Sequence, residues 1–378
     1  TKCPKCRGKA TRETDTMDTF VNSSWYYLRY CDPKNDKKIF DNNKAGYWCP
    51  VNTYIGGKEH ATMHLIYIRF YTKFLRDLGL LKFDEPVVKL FNQGMLHGPD
   101  GEKMSKSKGN IILPETISKK YGIDAARLFL VSNSAPDKDL NWSDNGAESS
   151  NSFVKKIFDK ISNVKIGKSS KRFESKLNFC LRDVSSCIEE FKYNLAVIKI
   201  RELFDYFEEE ISKKDLESCI KLLSPFCPHV AEELWEKIGN KRFVSLESWP
   251  KVNVKKINVE FEIIDNFVES LFSDLRAVIE LVKFKPKKAK IYVSESWKYS
   301  FVKKLKKEIS KTRNVGELIK KLVDKKHNKE ISKLVPYYLK DESRILNFVL
   351  GQKKEIKIIK ENVDKLSKEF GLKIVIDK

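Results

Sequence analysis

Between Lys58 and Leu80 the apolar and aromatic residues Met63, Tyr67, Phe70, Tyr71, Phe74 and Leu78 recur at spacings of three and four, which predicts one amphipathic helix. Gly79 stands where such a helix stops. Pro86 then introduces a short apolar run, Val87 to Phe91, whose length predicts a buried parallel strand. Pro114-Glu115 predicts a helix opening, with proline at the first position and an acid complementing the dipole. From about Asp144 the pattern turns helical, broken by the polar linker Lys165 to Lys171. Leu177 to Phe191, Leu195 to Ile211 and Leu216 to Ile238 predict three helices of a bundle, with Pro225 and Pro228 kinking or interrupting the last. Trp249-Pro250 marks a boundary. Beyond it, Val259 to Ile263 alternates as a strand does, Phe267 to Val282 reads as a helix, and Lys290 to Val293 again as a strand. Glu355 to Ile359 and Lys373 to Ile376 predict two more strands around a helix. The expected fold is therefore α/β, then all-α, then a small α/β domain.

Composition changes this picture in two ways. The 378 residues are 41% hydrophobic and 11% aromatic, enough for two or three domains with real cores. The net charge of +21 predicts attraction to a polyanion, with salt-dependent binding, although a Lys-rich proteome would tint any chain the same way. No apolar run approaches the length of about 20 residues that spans a bilayer, so no membrane role and a cytoplasmic location are expected. The eight Cys then read as reduced thiols. Only Cys3-Pro4-Lys5-Cys6 has metal-like spacing; it is half of a tetrahedral zinc site or a plain turn. Cys31 and Cys49 are the nearest further thiols, and a pair preceding residue 1 is the preferred source of the other two ligands.

Candidate chemistry concentrates in Lys103-Met104-Ser105-Lys106-Ser107-Lys108-Gly109-Asn110. Three ammonium groups in six residues, with hydroxyls between them and a glycine to turn the backbone, suit a polyphosphate. This stretch matches the KMSKS signature and resembles that of the class I aminoacyl-tRNA synthetases. Other blocks sharpen the resemblance to the leucyl-tRNA synthetase family: Asp15 to Tyr27, Tyr54-Ile55-Gly56-Gly57-Lys58-Glu59-His60 through Leu65, Gln93-Gly94-Met95, Tyr121 to Arg127, Leu140 to Asp144, and Ser224 to Trp235. They cover residues 10 to 250 in the family's order. The tail from residue 251 is similar to an archaeal-style C-terminal domain, whereas Glu59 to His64 looks bacterial.

The resemblance implies the second half of a Rossmann-type catalytic domain at 1–143, a helical anticodon-binding-type domain at 144–250 and a basic tRNA-binding domain at 251–378. It implies activation of leucine with ATP and Mg2+, then transfer to tRNA(Leu). Lys103 and Lys106 are the expected catalytic cations, gathering the charge that builds on departing pyrophosphate. Met104, Ser105, Gly56, Gly57 and Glu59 are the expected ATP contacts; without the resemblance, the glycines and Glu59 read as a tight turn before a helix. Phe20, Ser23, Tyr26, His60 and His64 are the expected leucine pocket. His60 and His64 lie four apart, which would put them on one helix face, yet the order Glu-His-x-x-x-His is not that of zinc proteases. His229 reads as structural. Lysines and arginines from Lys283 to Lys329, interleaved with Phe284, Tyr292, Trp297, Tyr299 and Phe301, suit RNA tracking and stacking, or a small core. No HxGH motif occurs. The family carries that motif and its editing domain upstream, so a second polypeptide is an expected partner, and the chain alone is expected to catalyse poorly. The alternative is a tRNA-binding protein without catalysis.

Overall fold

The computed structural model describes residues 1–377 apart from 283, 285, 342–344 and 346–348. It divides into two compact units, Thr1–Val254 and Lys255–Lys378.

The first unit opens with a turn at Cys3 to Gly8, then α1 (Thr19–Ser23), α2 (Tyr26–Cys31) and α3 (Asn42–Trp48). Strand β1 (Val51–Gly57), helix α4 (His64–Asp77) and strand β2 (Val87–Gln93) follow as a parallel crossover, with Val51 opposite Val87 and Gly57 opposite Gln93. The predicted single helix from Lys58 is corrected: a 3-10 turn at Lys58–Ala61 precedes α4, and Met63, with φ −119° and ψ −96°, separates them. His60 and His64 therefore lie on two elements. Leu80 N–H to the Leu75 carbonyl and Gly79 N–H to that of Arg76 close α4, with Gly79 left-handed at φ +73°. The buried-strand reading of β2 is also corrected, because Val88 is 73% and Leu90 41% exposed.

Two short strands, β3 (Leu96–His97) and later β4 (Leu140–Asn141), pair in parallel on either side of α5 (Pro114–Tyr121) and α6 (Ile123–Ser132). Pro114 starts α5 as expected. A helical bundle then takes over. It comprises α7 (Asp144–Asn163), β5 (Lys165–Ile166), α8 (Lys171–Glu189), α9 (Tyr193–Asp205), β6 (Glu210–Ile211), α10 (Lys213–Leu223) and α11 (Pro228–Lys237). The third predicted helix is two helices, interrupted where the prolines stand. Ser143, Ser170 and Ser212 cap α7, α8 and α10 by accepting a backbone N–H in the first turn.

The second unit consists of α12 (Val259–Leu281), β7 (Lys288–Tyr292), α13 (Ser296–Ile309), α14 (Val315–Leu322), α15 (Asn328–Lys340), α16 (Gln352–Phe370) and β8 (Lys373–Asp377). Strands β7 and β8 pair in parallel. Two predicted strands are helices: Val259–Ile263 opens α12 and Glu355–Ile359 lies in α16. In each case a short alternating window belongs to a longer three-and-four repeat. In α16 it runs through Ile358, Ile359, Val363 and Leu366, which pack beside or within the unit's core.

Candidate functional site

The lysine loop is built by its own short hydrogen bonds. Asn110 bridges it: its carbonyl accepts from Ser105 N–H at 2.9 Å, while its amide nitrogen donates to Asp100 Oδ2 at 3.0 Å. Ser105 Oγ accepts from Lys108 N–H at 3.2 Å, which caps a 3-10 turn at Lys106–Lys108. Gly109, at φ +67°, ends it in the left-handed region that glycine enters without penalty. Met104 turns inward against the core formed by Tyr121, Ala125, Phe129, Trp142 and Ala147. Lys103, Lys106 and Lys108 remain exposed. Lys108 pairs with Glu102 at 3.2 Å, whereas among the described residues Lys103 and Lys106 have no carboxylate partner.

The strands place this loop. The carboxyl ends of β1 and β2 carry Gly56-Gly57 and Asn92-Gln93 side by side. Gly94 then passes so close to the Lys138 backbone carbonyl that a Cβ would overlap it, and its N–H bonds to Pro136 O at 2.9 Å. Asp139 ties the two halves together: its carboxylate accepts from Met95 N–H at 2.8 Å and from Lys58 Nζ at 3.0 Å. Those bonds hold the Asp139 carboxyl below its ordinary pKa, the Met95 amide foremost. The Glu59 carboxylate folds back over the Cα of Gly57 and is exposed.

A second cluster gathers rings from α1, α2, β1 and the 3-10 turn around His64, the first residue of α4. Phe20 lies 5.5 Å from His64 and 5.9 Å from His60, ring centre to ring centre, and Tyr26 lies 6.0 Å from His64. His64 Nε2 faces the Ser23 carbonyl at 2.9 Å, and Nδ1 meets Tyr54 OH at 2.8 Å. A carbonyl only accepts, so Nε2 carries the proton and, in the neutral ring, Nδ1 accepts from Tyr54. Burial raises the Tyr26 and Tyr54 hydroxyls above their usual pKa. His60 Nδ1 is shut from solvent with no hydrogen-bond partner among the described residues. Ser23 contributes its carbonyl to His64, while its Oγ bonds locally to Phe20 O at 3.4 Å. Phe20, Ser23, Tyr26, His60 and His64 thus stand together; Tyr54 and Tyr67, at 5.8 Å from Phe20, were not singled out in the sequence reading of this cluster.

Cys3 and Cys6 share one turn, and the Cys6 and Lys5 backbone N–H groups hold the Cys3 thiol below its ordinary pKa. Two sulfurs are half of what tetrahedral zinc requires. Among the described residues no group of three or more His, Cys, Asp or Glu assembles around them or elsewhere, and Cys31 pairs instead with Cys49, sulfur to sulfur 3.9 Å. The residues present therefore do not complete a zinc site. His229 Nδ1 bonds to the buried carboxylate of Asp124 at 2.9 Å, a structural contact between α6 and α11. Of the aromatics proposed for RNA stacking, Phe301 is buried and Trp297 stacks on His327 at 4.2 Å, while Phe284 and Tyr292 are exposed; Lys283 and Lys285 lie outside the described residues. Among the described residues no helix is long and apolar enough to cross a membrane.

A lysine loop beyond the carboxyl ends of parallel strands, followed by a helical bundle, defines a segment of a class I tRNA synthetase. The family of class I tRNA synthetases (I, L, M and V) matches residues 2–143, and the anticodon-binding domain of tRNA ligase matches residues 170–333. Leucine–tRNA ligases of Thermosipho melanesiensis and Thermotoga maritima are 44% and 43% identical to it, each over 69% of this chain. The solved ternary complex of Agrobacterium radiobacter K84 agnB2 LeuRS with tRNA and LeuAMS is similar at 36% identity and a TM-score of 0.60, over 68% of this chain and 36% of that one. The chain belongs to the leucine–tRNA ligase family. It spans about a third of the length of the curated relatives it matches, 34% and 35% for the two named.

Proposed function

We propose that this chain supplies the lysine-loop half of a leucine–tRNA ligase, acting in the ATP-dependent joining of leucine to tRNA(Leu). The observation that carries the reading is the pair Lys103 and Lys106, exposed and, among the described residues, without a carboxylate partner, on a loop anchored by Met104. Neutralising them within the protein would waste them; the triphosphate of an incoming ATP, whose β- and γ-phosphates leave as pyrophosphate, would not. Lys106 and Lys103 concentrate positive charge where the bond to the α-phosphate breaks, and Ser105 together with the loop backbone near Met104 positions the nucleotide. Gly56 and Gly57 admit the ribose closely, with Glu59 free to accept its hydroxyls. Mg2+ would travel with the phosphates and keep most of its waters, which fits a chain whose described residues offer no carboxylate cage.

Leucine fits the cluster of Phe20, Ser23, Tyr26, His60 and His64. Its rings give an apolar wall, and the buried Nδ1 of His60 awaits a ligand's hydrogen bond. The domains follow as catalytic at 1–143, anticodon-binding at 144–250 and a basic tRNA-binding domain at 251–378. A cytoplasmic place of action goes with this reading.

A further polypeptide or segment with the HxGH motif completes the site. Ile66, Phe70 and Phe74 form an exposed stripe along α4, and Ile55, Val88 and Leu90 add exposed apolar positions on the strands. A parallel sheet normally has both faces covered, so these positions suit the rest of a doubly wound sheet. Leucine-dependent exchange of pyrophosphate with ATP tests the reading. The chain with its completing polypeptide should show exchange that Lys106→Ala lowers by roughly 10²–10³-fold, while the chain alone shows little. Exchange that tolerates Lys106→Ala would overturn the role of the loop, and no exchange with any amino acid would leave a tRNA-binding protein without catalysis.

A further inference from the structure

Helix α8 ends in a Schellman turn with a phenylalanine where three other helices of this chain place glycine. Lys192 N–H bonds to the Cys187 carbonyl at 2.7 Å and Phe191 N–H to that of Ile188 at 3.1 Å, and Phe191 lies at φ +58°. Helices α4, α11 and α16 end at Gly79, Gly239 and Gly371, all with positive φ. A side chain with a Cβ is disfavoured there, so this phenylalanine persists only because its surroundings repay the strain. The ring shows how. It lies 4.7 Å from the ring of Phe91, takes the Lys89 ammonium at 5.3 Å from its centre, and meets Tyr193 edge-on at 6.0 Å. Phe91 and Lys89 belong to β2, and two residues after Phe91 that strand leads through Gln93-Gly94-Met95 towards the lysine loop.

We propose that Phe191 is a positioning residue: the corner of the helical bundle between α8 and α9 clamps strand β2 through the Phe191–Phe91 contact, fixing the strand that delivers the lysine loop. The left-handed backbone at residue 191 aims the ring away from its own helix and onto β2. The bundle thereby has a direct mechanical hold on the catalytic segment, and an event at the α8–α9 corner reaches β2 through one aromatic contact. This use of the clamp rests on the proposed role of the lysine loop, whereas the clamp itself does not.

Hydrogen exchange separates the two. Phe191→Asn accepts the left-handed backbone and removes the ring; Phe191→Tyr keeps the ring. In the full chain, Phe191→Asn should raise amide exchange at least threefold across residues 87–110 while leaving α9 to α11 unchanged, and Phe191→Tyr should restore wild-type rates. Phe91→Leu should reproduce the effect, with no further increase when combined with Phe191→Asn. Unchanged exchange at 87–110, or a uniform rise across the whole unit, would overturn the clamp. Pyrophosphate binding by the same proteins reads the other half. If Phe191→Asn loosens residues 87–110 and weakens pyrophosphate binding severalfold, the clamp serves the loop; if it loosens them while binding is unchanged, the positioning role falls.

Discussion

The helical bundle and the segment before it, residues 1–143, are built on opposite terms. Phe173, Phe204, Leu177, Ile200, Ile211 and Leu216 are all essentially shut from solvent within one continuous bundle core. The first segment has a smaller core around Leu28, Phe40, Ile68 and Leu75, and it leaves Tyr30, Tyr47, Trp48, Phe70 and Val88 more than half exposed. The bundle closes a large core mostly from its own helices, with Leu128 of α6 joining it. The first segment spends its order on placing a loop and a ring cluster.

The sharpest test of that contrast compares two phenylalanines. Phe204→Ala in the bundle should cost about 3–5 kcal/mol in urea unfolding, whereas Phe70→Ala on α4 should stay within about 0.5 kcal/mol yet weaken assembly with the completing polypeptide proposed above, if one binds there. Equal destabilisation by both would erase the distinction. Next in size, if the proposed assembly holds, Lys106→Ala should lower its leucine-dependent exchange by roughly 10²–10³-fold with an unchanged melting temperature, since its exposed ammonium has no carboxylate partner among the described residues.

Smaller effects probe the ring cluster. Tyr54→Phe leaves His64 Nδ1 without its 2.8 Å bond and should raise KM for leucine by about fivefold, the value of one net hydrogen bond of about 1 kcal/mol. An unchanged KM would remove His64 orientation from leucine recognition. The smallest effect concerns the link between α4 and the approach to β2, where Arg69 grips Glu85 through two bonds of 2.7 and 2.8 Å. The Arg69 guanidinium, helped by Lys73, holds the Glu85 carboxyl down at about 2. A carboxyl depressed in the folded state stabilises above its unfolded pKa, near 4.3, and loses that contribution as pH falls towards about 2. Because the pair is nearly half exposed, its worth is under about 1 kcal/mol. Glu85→Gln should therefore lower the melting temperature slightly at neutral pH, with the difference from wild type closing between pH 4 and pH 2.

The lysine loop was legible in the sequence because its chemistry is contiguous, and Asn110 and Gly109 close it within a few residues. The gathering of Phe20, Ser23 and Tyr26 with His60 and His64 followed from resemblance rather than pattern, since it takes three helices, a strand and a turn to assemble it. Asp139 escaped notice for the same reason: it joins Lys58 to Met95 across the fold, and nothing local marks it. The strand errors at Val259–Ile263 and Glu355–Ile359 arose from five-residue windows, where the strand preference of Val and Ile dominates and only the longer three-and-four repeat overrides it. The break between His60 and His64 was hidden because a 3-10 turn keeps nearly the spacing of the helix it precedes.

Strand β7 pairs with β8, with Lys288 opposite Lys373, and among the described residues four helices lie between them. A ribosome must therefore have released the final strand before this sheet can exist, whereas the bundle joins neighbours in sequence, α8 to α9 and α10 to α11. During synthesis α13, α14 and α15 can already gather around Phe301, Leu305, Leu318 and Ile331, whereas the sheet waits for that long loop to close.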